Sequence, residues 1–343
     1  MVCSAGGRGF EKAVREGGLT LERIPRPRPR PAHLVRAALA LGPIFRRERP
    51  HVVHAHNPAA SIAAALARRL VRQPEIAIVS TYHGVPEARM LRAARVLRLT
   101  SDVVVGIGPT STQHLRERGL SASRSATVYN AVEPRVSRSR EDVRREFAAE
   151  DAELVVAVGR YAQQKNPVLF LEAIAVLAPK RPSLRALLVG TGPLEDLLRT
   201  RIAELNLGGI AVLTGFRTDA ADIIAAADAL AVTSSWEALG LVVLEAMLLG
   251  CPVVSTAAGG VGDLVRDGET GLLVPRGDEQ ALAAAIARVL DDEPLRKRLT
   301  ANARDFAERT SSVEAMVDQY AELYVTAASA RRARFSNAAL DRA

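Results

Sequence analysis

The chain has 343 residues, more than a single hydrophobic core supports, so we expect two domains of roughly 150 residues each. Hydrophobic residues make up 48% and charged residues 24%, which excludes a disordered or collagen-like chain. Two cysteines, Cys3 and Cys251, are too few for a disulfide framework or a cysteine-based zinc site. We interpret them as small buried side chains in a reducing compartment. The first ten residues lack the pattern of a signal peptide, so we expect a cytoplasmic protein.

The net charge of +8 is divided unevenly along the chain. Residues 1–140 contain 24 Lys and Arg against 9 Asp and Glu, a net charge of +15. Residues 141–343 contain 22 against 29, a net charge of −7. The basic half indicates a surface for an anionic partner on one domain only. From charge alone, nucleic acid, acidic lipid headgroups and phosphorylated substrates all remain candidates.

Short apolar segments alternate with Ala-, Leu- and Arg-rich helical segments in the first half of the chain. We predict strands at 19–24, 51–56, 76–81, 102–107 and 126–129, and helices at 32–48, 58–72, 86–99 and 110–118. The Pro/Arg run at 25–31 predicts an extended connector. The opening MVCSAGG resembles the end of a second strand, with no first strand, glycine-rich turn or first helix before it. We expect either that the sequence starts about one βα unit too late or that this domain is abridged.

The second half repeats the same alternation. Strands are predicted at 153–158, 185–189, 210–214, 229–233, 252–255 and 271–274. Helices are predicted at 167–178, 193–205, 219–226, 240–249, 260–266, 278–290 and 293–309. Apolar strands without polar alternation, each followed by a helix, indicate parallel sheets covered on both faces. The fold class is therefore α/β, with two doubly wound, Rossmann-like domains.

Domain boundaries follow from breaks in this pattern. Pro, Ser and Arg interrupt it at 131–141, where we place the linker. We expect a first domain at 1–135, a second at 136–310, a last helix at 311–329, and a flexible tail at 330–343.

Residues 234–250, SSWEALGLVVLEAMLLG, contain two glutamates separated by seven residues, Glu237 and Glu245. If a helix begins at Gly240, the amides of Gly240, Leu241 and Val242 are free donors at its positive end and form an anion site. Glu245 then lies in the second turn, where it can accept hydrogen bonds from a sugar or ribose diol. Spacing alone favours the alternative, a surface glutamate and a helix-dipole glutamate.

Residues 155–167, VVAVGRYAQQKNP, place two cations after a buried strand. Arg160 and Lys165 follow Gly159 in the loop before a helix at Pro167, where they can clamp a diphosphate and stabilise its departure. Two solvated loop charges are the alternative. A further strand and glycine turn at 188–194, with Gly190 and Gly192, is a weak signal by itself.

Histidines end two strands of the first half. His54 and His56 share a strand face, but without a nearby carboxylate or third histidine a zinc site is a minor alternative. His83, beside Gly84, is better placed to meet a substrate phosphate or hydroxyl.

Taken together, these segments resemble glycosyltransferase family 4, a family of retaining enzymes with the GT-B fold. The resemblance spans roughly residues 50–330. The matching segments are VGRYAQQKNP, LVGTGPLE, LTGFRTD, DALAVTSSWEALGLVVLEAMLLGCPVVSTAAGGVGDLVRDGETGLLVPRGD, HVVHAHNPAAS, STYHG and VYNAVEP. It implies two Rossmann-like domains facing across a cleft, with a nucleotide diphosphate sugar on the second and a glycan or lipid-linked acceptor on the first.

The resemblance also assigns roles to individual residues. Arg160 and Lys165 match the pair that binds the donor diphosphate, and His83 matches a histidine that approaches the donor sugar. Glu237 matches the glutamate facing that sugar, and Glu245 the one on the ribose. Further donor-binding positions are Gly159, Gly190, Gly192, Gly215 and Phe216 (the last two beside the base), and Gly240, Leu241 and Val242 under the distal phosphate. The last helix, 311–329, matches one that packs back on the first domain.

The implied chemistry is the transfer of a hexose-type sugar with retention, in cell-envelope polysaccharide or glycolipid synthesis. Because cations and helix amides can stabilise the departing diphosphate, we expect neither a metal nor another cofactor.

A basic helix at 89–98 offers one use for the charge of the first half. Arg89, Arg92 and Arg95 follow one side of it, and Met90, Leu91, Ala94 and Leu97 lie on others. It is either an interfacial helix at the inner face of an anionic membrane or an ordinary surface helix.

Other functional classes remain as alternatives. An abridged first domain is compatible with a non-catalytic binding or scaffold protein. A sugar-nucleotide epimerase shares the architecture without the paired-glutamate segment. A nicotinamide dehydrogenase requires a Gly-x-Gly-x-x-Gly turn that is absent from the sequence. We expect no nucleic-acid partner, since no recognition motif or set of stacking aromatic residues is present.

Overall fold

A computed structural model of the protein describes residues 1–4 and 16–340. The chain divides into two compact units. Unit 1 contains residues up to Val128 together with those from Asp318 onward, and unit 2 runs from Tyr129 to Val317. The described residues thus change unit at Val128 and at Val317, a few residues from the predicted boundaries at 135 and 310.

The described residues of unit 1 form two parallel sheets. The first pairs β1 (Val2–Ser4) with β2 (Leu21–Arg23), and the second has the order β3-β4-β5-β6. Its strands are β3 (Val52–Ala55), β4 (Ala77–Tyr82), β5 (Val103–Gly106) and β6 (Ser125–Thr127). The connecting helices are α1 (Pro31–Glu48), α2 (Pro58–Leu70), α3 (Glu87–Thr100) and α4 (Pro109–Glu117). Every residue of β4 is buried, as expected for a strand covered on both faces.

A long C-terminal helix, α12 (Val313–Leu340), completes unit 1. Tyr320 and Tyr324 on this helix hydrogen-bond to side chains of β3 and β4, and Arg331 donates to the carbonyl of Pro74 and to the carboxylate of Asp102. The segment from residue 330, for which we predicted a flexible tail, is helical through Leu340, and Arg331 within it is bound by acceptors on unit 1.

Unit 2 is built on one six-stranded parallel sheet with the order β12-β11-β10-β7-β8-β9. Its strands are β7 (Glu153–Val158), β8 (Leu184–Val189), β9 (Ala211–Gly215), β10 (Ala229–Val232), β11 (Val253–Thr256) and β12 (Leu272–Val274). Its helices are α5 (Arg140–Glu146), α6 (Pro167–Leu177), α7 (Glu195–Glu204), α8 (Ala220–Ala226), α9 (Leu241–Leu249), α10 (Glu279–Asp291) and α11 (Glu293–Thr310). The central strands β7, β8 and β10 are largely buried in a continuous apolar core.

One predicted helix of unit 2 was wrong. Residues 260–266 do not form an α-helix, and a short 3₁₀ turn covers Gly259–Asp263 instead. Three glycines within five residues make an α-helix costly at this position, and 3₁₀ turns are commonly short. The predicted linker, 131–141, is partly fixed, since the backbone N–H groups of Ser137 and Arg138 donate to the buried carboxylate of Asp222.

The helices carry no membrane-spanning signal. Within residues 1–4 and 16–340, none combines the length and the apolar character needed to cross a bilayer.

Candidate functional site

The strand order of unit 2 defines where a ligand is expected to bind. From β7 the chain proceeds to β8 and β9 on one side, and then returns to β10, β11 and β12 on the other side. The crevice at the carboxyl ends of β7 and β10 is therefore the topological switch point, the usual ligand site of open parallel sheets. A small pocket opens here, and its lining includes Gly159, Arg160, Lys165, Thr233 and Ser234.

Lys165 and Glu237 form a direct ion pair at this switch point. The Nζ atom of Lys165 donates to Oε1 of Glu237. The Glu237 side chain is only 8% exposed and that of Lys165 is 28% exposed. The structure thus brings together Lys165, predicted to bind the diphosphate, and Glu237, predicted to bind the sugar, which are 72 residues apart in the chain.

Arg160 contrasts with Lys165. Its side chain is exposed at the mouth of the pocket, and it forms no hydrogen bond or ion pair with any other residue that the structure describes. Gly159 has a φ of +158°, and a Cβ added there would meet the methylene chain of Lys165. The methylene chain of Lys165 therefore lies along the strand end beside Gly159, while Arg160 stays available to an anion.

Helix α9 begins as the sequence predicted, directly after Gly240. That residue has a φ of +94°, and no side chain caps the helix. The amides of the first turn, which include those of Leu241 and Val242, have no partner within a helix and are donors for a ligand. Glu245 lies one turn further along, and burial raises the pKa of its carboxyl group.

The loop carrying Glu237 rests on a pair of glycines. A Cβ on Gly259 would approach the carbonyl oxygen of Glu237 to 2.6 Å, and one on Gly260 would overlap the carbonyl oxygen of Ala238. The N–H of Gly260 donates to the Glu237 carbonyl at 3.0 Å. These glycines, of which the sequence analysis placed Gly260 in a helix, allow the close approach that fixes the backbone of Glu237.

Gly190 and Gly192 have a packing role that the sequence did not reveal. Side chains at these positions would overlap the carbonyl oxygens of Gly159 and Tyr161, respectively. The Tyr161 hydroxyl donates to the carbonyl of Leu188 at 2.6 Å, and burial raises the pKa of this phenol to about 12. The turn after β8 is thus packed against the turn after β7, while direct donor contact by the two glycines stays a prediction.

Phe216 projects into solvent at the end of β9. It is 76% exposed and follows Gly215, which has a φ of +74°. The next residue, Arg217, is fixed by ion pairs to Asp219 and Glu146. Hydrogen bonding to Arg217 is the main cause that lowers the pKa of Asp219 to about 2. An exposed aromatic ring on an anchored loop can stack on a nucleotide base, as the resemblance implies.

The three histidines lie together in unit 1. The rings of His54 and His56 are 4.3 Å apart, and Nδ1 of His56 is 3.2 Å from Nε2 of His83. His54 contacts the Tyr324 hydroxyl through Nδ1 and the Thr81 hydroxyl through Nε2, each at 2.7 Å. His54 therefore holds α12 against the sheet, and the predicted role of His83 toward the donor sugar stays a prediction.

Burial governs the protonation of this cluster. It lowers the pKa of His54 to about 3, with a smaller effect from the neighbouring His56 and His83. Burial also lowers the pKa values of His56 and His83. Within the part of the chain that the structure describes, no group of three or more His, Cys, Asp or Glu side chains is arranged to hold a metal ion.

Comparison with known proteins identifies the family. The model "Glycosyl transferases group 1" matches residues 139–306, and the model "Glycosyltransferase Family 4" matches residues 1–136. A D-inositol 3-phosphate glycosyltransferase from Nocardioides sp. is 32% identical over 316 residues, which cover 82% of this chain and 67% of the relative. The chain belongs to the group 1 glycosyltransferases of family 4.

Two further similarities extend this result. N-acetyl-alpha-D-glucosaminyl L-malate synthase from Bacillus anthracis is 25% identical over 304 residues, which cover 86% of this chain and 79% of the relative. The crystal structure of Anabaena Alr3699/HepE in complex with UDP-glucose matches with a TM-score of 0.82 at 23% identity, covering 95% of this chain and 91% of that one. The two Rossmann-like units thus have the GT-B fold, as predicted.

Some parts of this glycosyltransferase site were missed by the sequence analysis. Ser234 and Thr256 act on the Glu237 loop through side-chain hydrogen bonds, and Tyr320 and Tyr324 fix the histidine cluster. Serine, threonine and tyrosine carry no spacing signal of their own. The Gly259–Gly260 pair directly after a buried strand was the one available signal for a close backbone approach.

Proposed function

We propose that this glycosyltransferase moves a hexose-type sugar from a nucleotide diphosphate sugar to a glycan or lipid-linked acceptor, with retention of anomeric configuration. The observation that carries the proposal is the convergence of Lys165, Glu237, Arg160 and the uncapped start of α9 at the switch point of unit 2. The site offers positive charge for a diphosphate beside a carboxylate for sugar hydroxyls.

The cationic groups supply the main electrostatic effect. Negative charge accumulates on the diphosphate as the bond to the sugar breaks, and preorganised donors stabilise that charge most when they need not move. Arg160 is unpaired among the described residues, and the ammonium of Lys165 has three N–H donors, one of which is directed at Glu237. Both cations can therefore contact phosphate oxygens while Glu237 keeps its partner.

The proposed reaction proceeds without a covalent intermediate between the sugar and the enzyme. The bond between the anomeric carbon and the phosphate oxygen breaks, and the electron pair leaves with the nucleoside diphosphate. The acceptor oxygen forms its bond on the same face of the sugar, and its proton passes to the departing phosphate oxygen. In this scheme unit 2 positions the nucleotide sugar and stabilises the departing diphosphate, and its glutamates bind hydroxyls rather than attack the sugar.

We also propose that turnover requires no divalent metal. Two cations and the amides of α9 supply the positive charge that a metal would otherwise provide. Turnover should be unchanged after treatment with a chelator. A loss of activity that magnesium or manganese restores would contradict this part of the proposal.

The identity of the donor is the first quantity to measure. The Anabaena structure holds UDP-glucose, which makes uridine diphosphate sugars the first candidates. Release of nucleoside diphosphate should be followed across uridine, guanosine and adenosine diphosphate sugars, with and without glycan or lipid-linked acceptors, and the anomeric configuration of any product determined by NMR. Turnover with none of them, together with unimpaired nucleotide binding, would instead support a non-catalytic binding protein.

Contact with an anionic membrane is a further element of the proposal. In α3, Arg89, Arg92 and Arg95 are all exposed, and so is Leu91, whereas Ala94 and Leu97 are buried. The exposed side of α3 thus combines cations with an apolar side chain, as interfacial helices do. Co-sedimentation should be measured with vesicles of anionic and of zwitterionic lipid, and equal binding to both would refute the electrostatic contact.

A further inference from the structure

Glu237 is held by two donors that meet at one of its two carboxylate oxygens. The ammonium of Lys165 and the hydroxyl of Ser234 both donate to Oε1, the latter at 2.7 Å. Among the described residues, no hydrogen bond reaches Oε2. The arrangement fixes the carboxylate at one oxygen and leaves the other for a ligand.

Ser234 is itself rigidly placed. The residue is 1% exposed, and its backbone carbonyl accepts a hydrogen bond of 2.7 Å from the Thr256 hydroxyl at the end of β11. The neighbouring Thr233 hydroxyl donates to the carbonyl of Lys165, and the N–H of Ser235 donates to the carbonyl of Gln164. These hydrogen bonds join the segment to the loop of Lys165 on one side and to β11 on the other. The Ser234 hydroxyl is therefore held in a fixed position.

The two groups that donate hydrogen bonds to Oε1 respond differently when the nucleotide sugar binds. Lys165 is cationic and lines the pocket beside Arg160, so a diphosphate competes for its N–H groups. Ser234 is neutral and buried, and its hydroxyl has only Glu237 as an acceptor among the described side chains. The Ser234 contact can therefore persist unchanged when N–H groups of Lys165 are engaged by phosphate.

We propose that Ser234 is a positioning residue, which holds Glu237 through Oε1 so that Oε2 is presented to hydroxyls of the transferred sugar. This inference rests on the proposed function, since it assumes that Glu237 faces that sugar. A glutamate side chain has three rotatable bonds, and fixing one oxygen in advance removes that freedom before the sugar arrives. We expect Ser234 to affect the sugar and not the nucleotide, because its hydroxyl hydrogen-bonds to Glu237 and to neither Arg160 nor the start of α9.

The test compares Ser234→Ala with Ser255→Ala. Ser255 is also fully buried near the end of a strand of the same sheet, but its hydroxyl donates only to the adjacent carbonyl of Thr256. Both variants lose one buried hydroxyl, so they share any general cost in stability. Steady-state kinetics with the best nucleotide sugar and direct binding of the free nucleoside diphosphate should be measured for both.

For Ser234→Ala we expect kcat to fall about ten- to hundredfold, the effect of losing a hydrogen bond to a charged group. The Kd of the nucleoside diphosphate should stay within about twofold of the unmodified protein, as should both constants in Ser255→Ala. Ser234→Cys, which keeps a weak donor of similar size, should recover part of the turnover. This division between turnover and nucleotide binding is what a purely structural role would not produce.

The measurements distinguish failure of the proposed function from failure of the positioning role of Ser234. If the unmodified protein binds nucleotide but transfers no sugar, the proposed function fails and the role of Ser234 falls with it. If the unmodified protein is active and Ser234→Ala matches Ser255→Ala in kcat, only the positioning role is overturned. If Ser234→Ala weakens nucleotide binding as much as turnover, the hydroxyl supports the whole loop and the proposal is likewise wrong.

Discussion

The ammonium of Lys165 is paired with the carboxylate of Glu237 where β7 and β10 end side by side in the sheet of unit 2. The pair joins a loop after one strand to a loop after its neighbour across the switch point. With Glu237 largely buried, the ion pair offsets part of the desolvation cost of its carboxylate.

Lys165→Met tests how strongly Glu237 depends on its cation. Removing one partner leaves a buried carboxylate supported by Ser234 alone, so the free energy of unfolding should fall by about 1–3 kcal/mol. Adding Glu237→Gln removes the unpaired charge and should recover part of that loss. Urea denaturation of the single and double variants measures both, and a double variant less stable than Lys165→Met would contradict the coupling.

Arg160→Ala should separate catalysis from stability. The side chain is exposed and unpaired within the described part of the chain, so its removal should leave the melting temperature unchanged. As one preorganised donor to the departing diphosphate, it should cost about 10²–10³ in kcat. Arg199→Ala on α7, which removes an exposed arginine paired with Glu195, is the control. Near-normal turnover of Arg160→Ala would refute its assignment.

Gly260→Ala and Gly262→Ala form a matched pair on the 3₁₀ turn. A Cβ on Gly260 would overlap the carbonyl of Ala238, whereas one on Gly262 would meet nothing within 4 Å. We expect Gly260→Ala to displace the Glu237 loop, lowering kcat at least about tenfold and the free energy of unfolding by about 1–3 kcal/mol. Gly262→Ala should change neither. Kinetics and denaturation of both decide the matter, and equal behaviour would show that the close approach is dispensable.

His54 should make the stability of unit 1 depend on pH. Its pKa is lowered to about 3 in the folded protein from an unfolded value of about 6.5, so the unfolded chain binds a proton first as pH falls. The stabilisation is complete above about pH 6.5 and is lost progressively toward pH 3, by up to about 1.4 kcal/mol per pH unit.

His54→Gln removes this titration, so the fall in unfolding free energy between about pH 6.5 and 4 should become shallower. His51→Gln serves as control, because that ring is exposed to solvent. Denaturation at several pH values provides the measurement. An unchanged pH dependence in His54→Gln would mean that other groups produce it.

Local patterns were sufficient for most of the architecture. The strand leading into Gly159 and the helix beginning after Gly240 were predicted close to their observed bounds, because apolar runs, glycines and prolines act within a few residues. Arg160, Lys165, Glu237 and Glu245 were selected by their spacing after a buried strand or around a helix start, together with the resemblance to glycosyltransferase family 4. What the sequence could not supply is the pairing of Lys165 with Glu237, which depends on β7 and β10 being neighbours.

What the sequence analysis missed depends on contacts that local pattern does not reveal. Residues 260–266 were predicted as a helix because local pattern does not reveal that Gly259 and Gly260 pack against the Glu237 loop. Arg331 lies in the segment that was predicted as a flexible tail because it ends the chain, and its acceptors on Pro74 and Asp102 are far away in the sequence. Ser234 was overlooked because its role depends entirely on which carboxylate its hydroxyl meets.

Unit 1 is discontinuous, and this affects the order in which the protein can fold during synthesis. Translation produces all of residues 129–317 before the part of α12 that belongs to unit 1 exists. On the ribosome, unit 2 can complete its sheet while unit 1 still lacks its last helix. Until Tyr320 and Tyr324 emerge, His54 and Thr81 in the nascent chain have no such partners. Unit 1 thus contains the first residues to be synthesised, but it is completed only after the C-terminal part of α12 has been made.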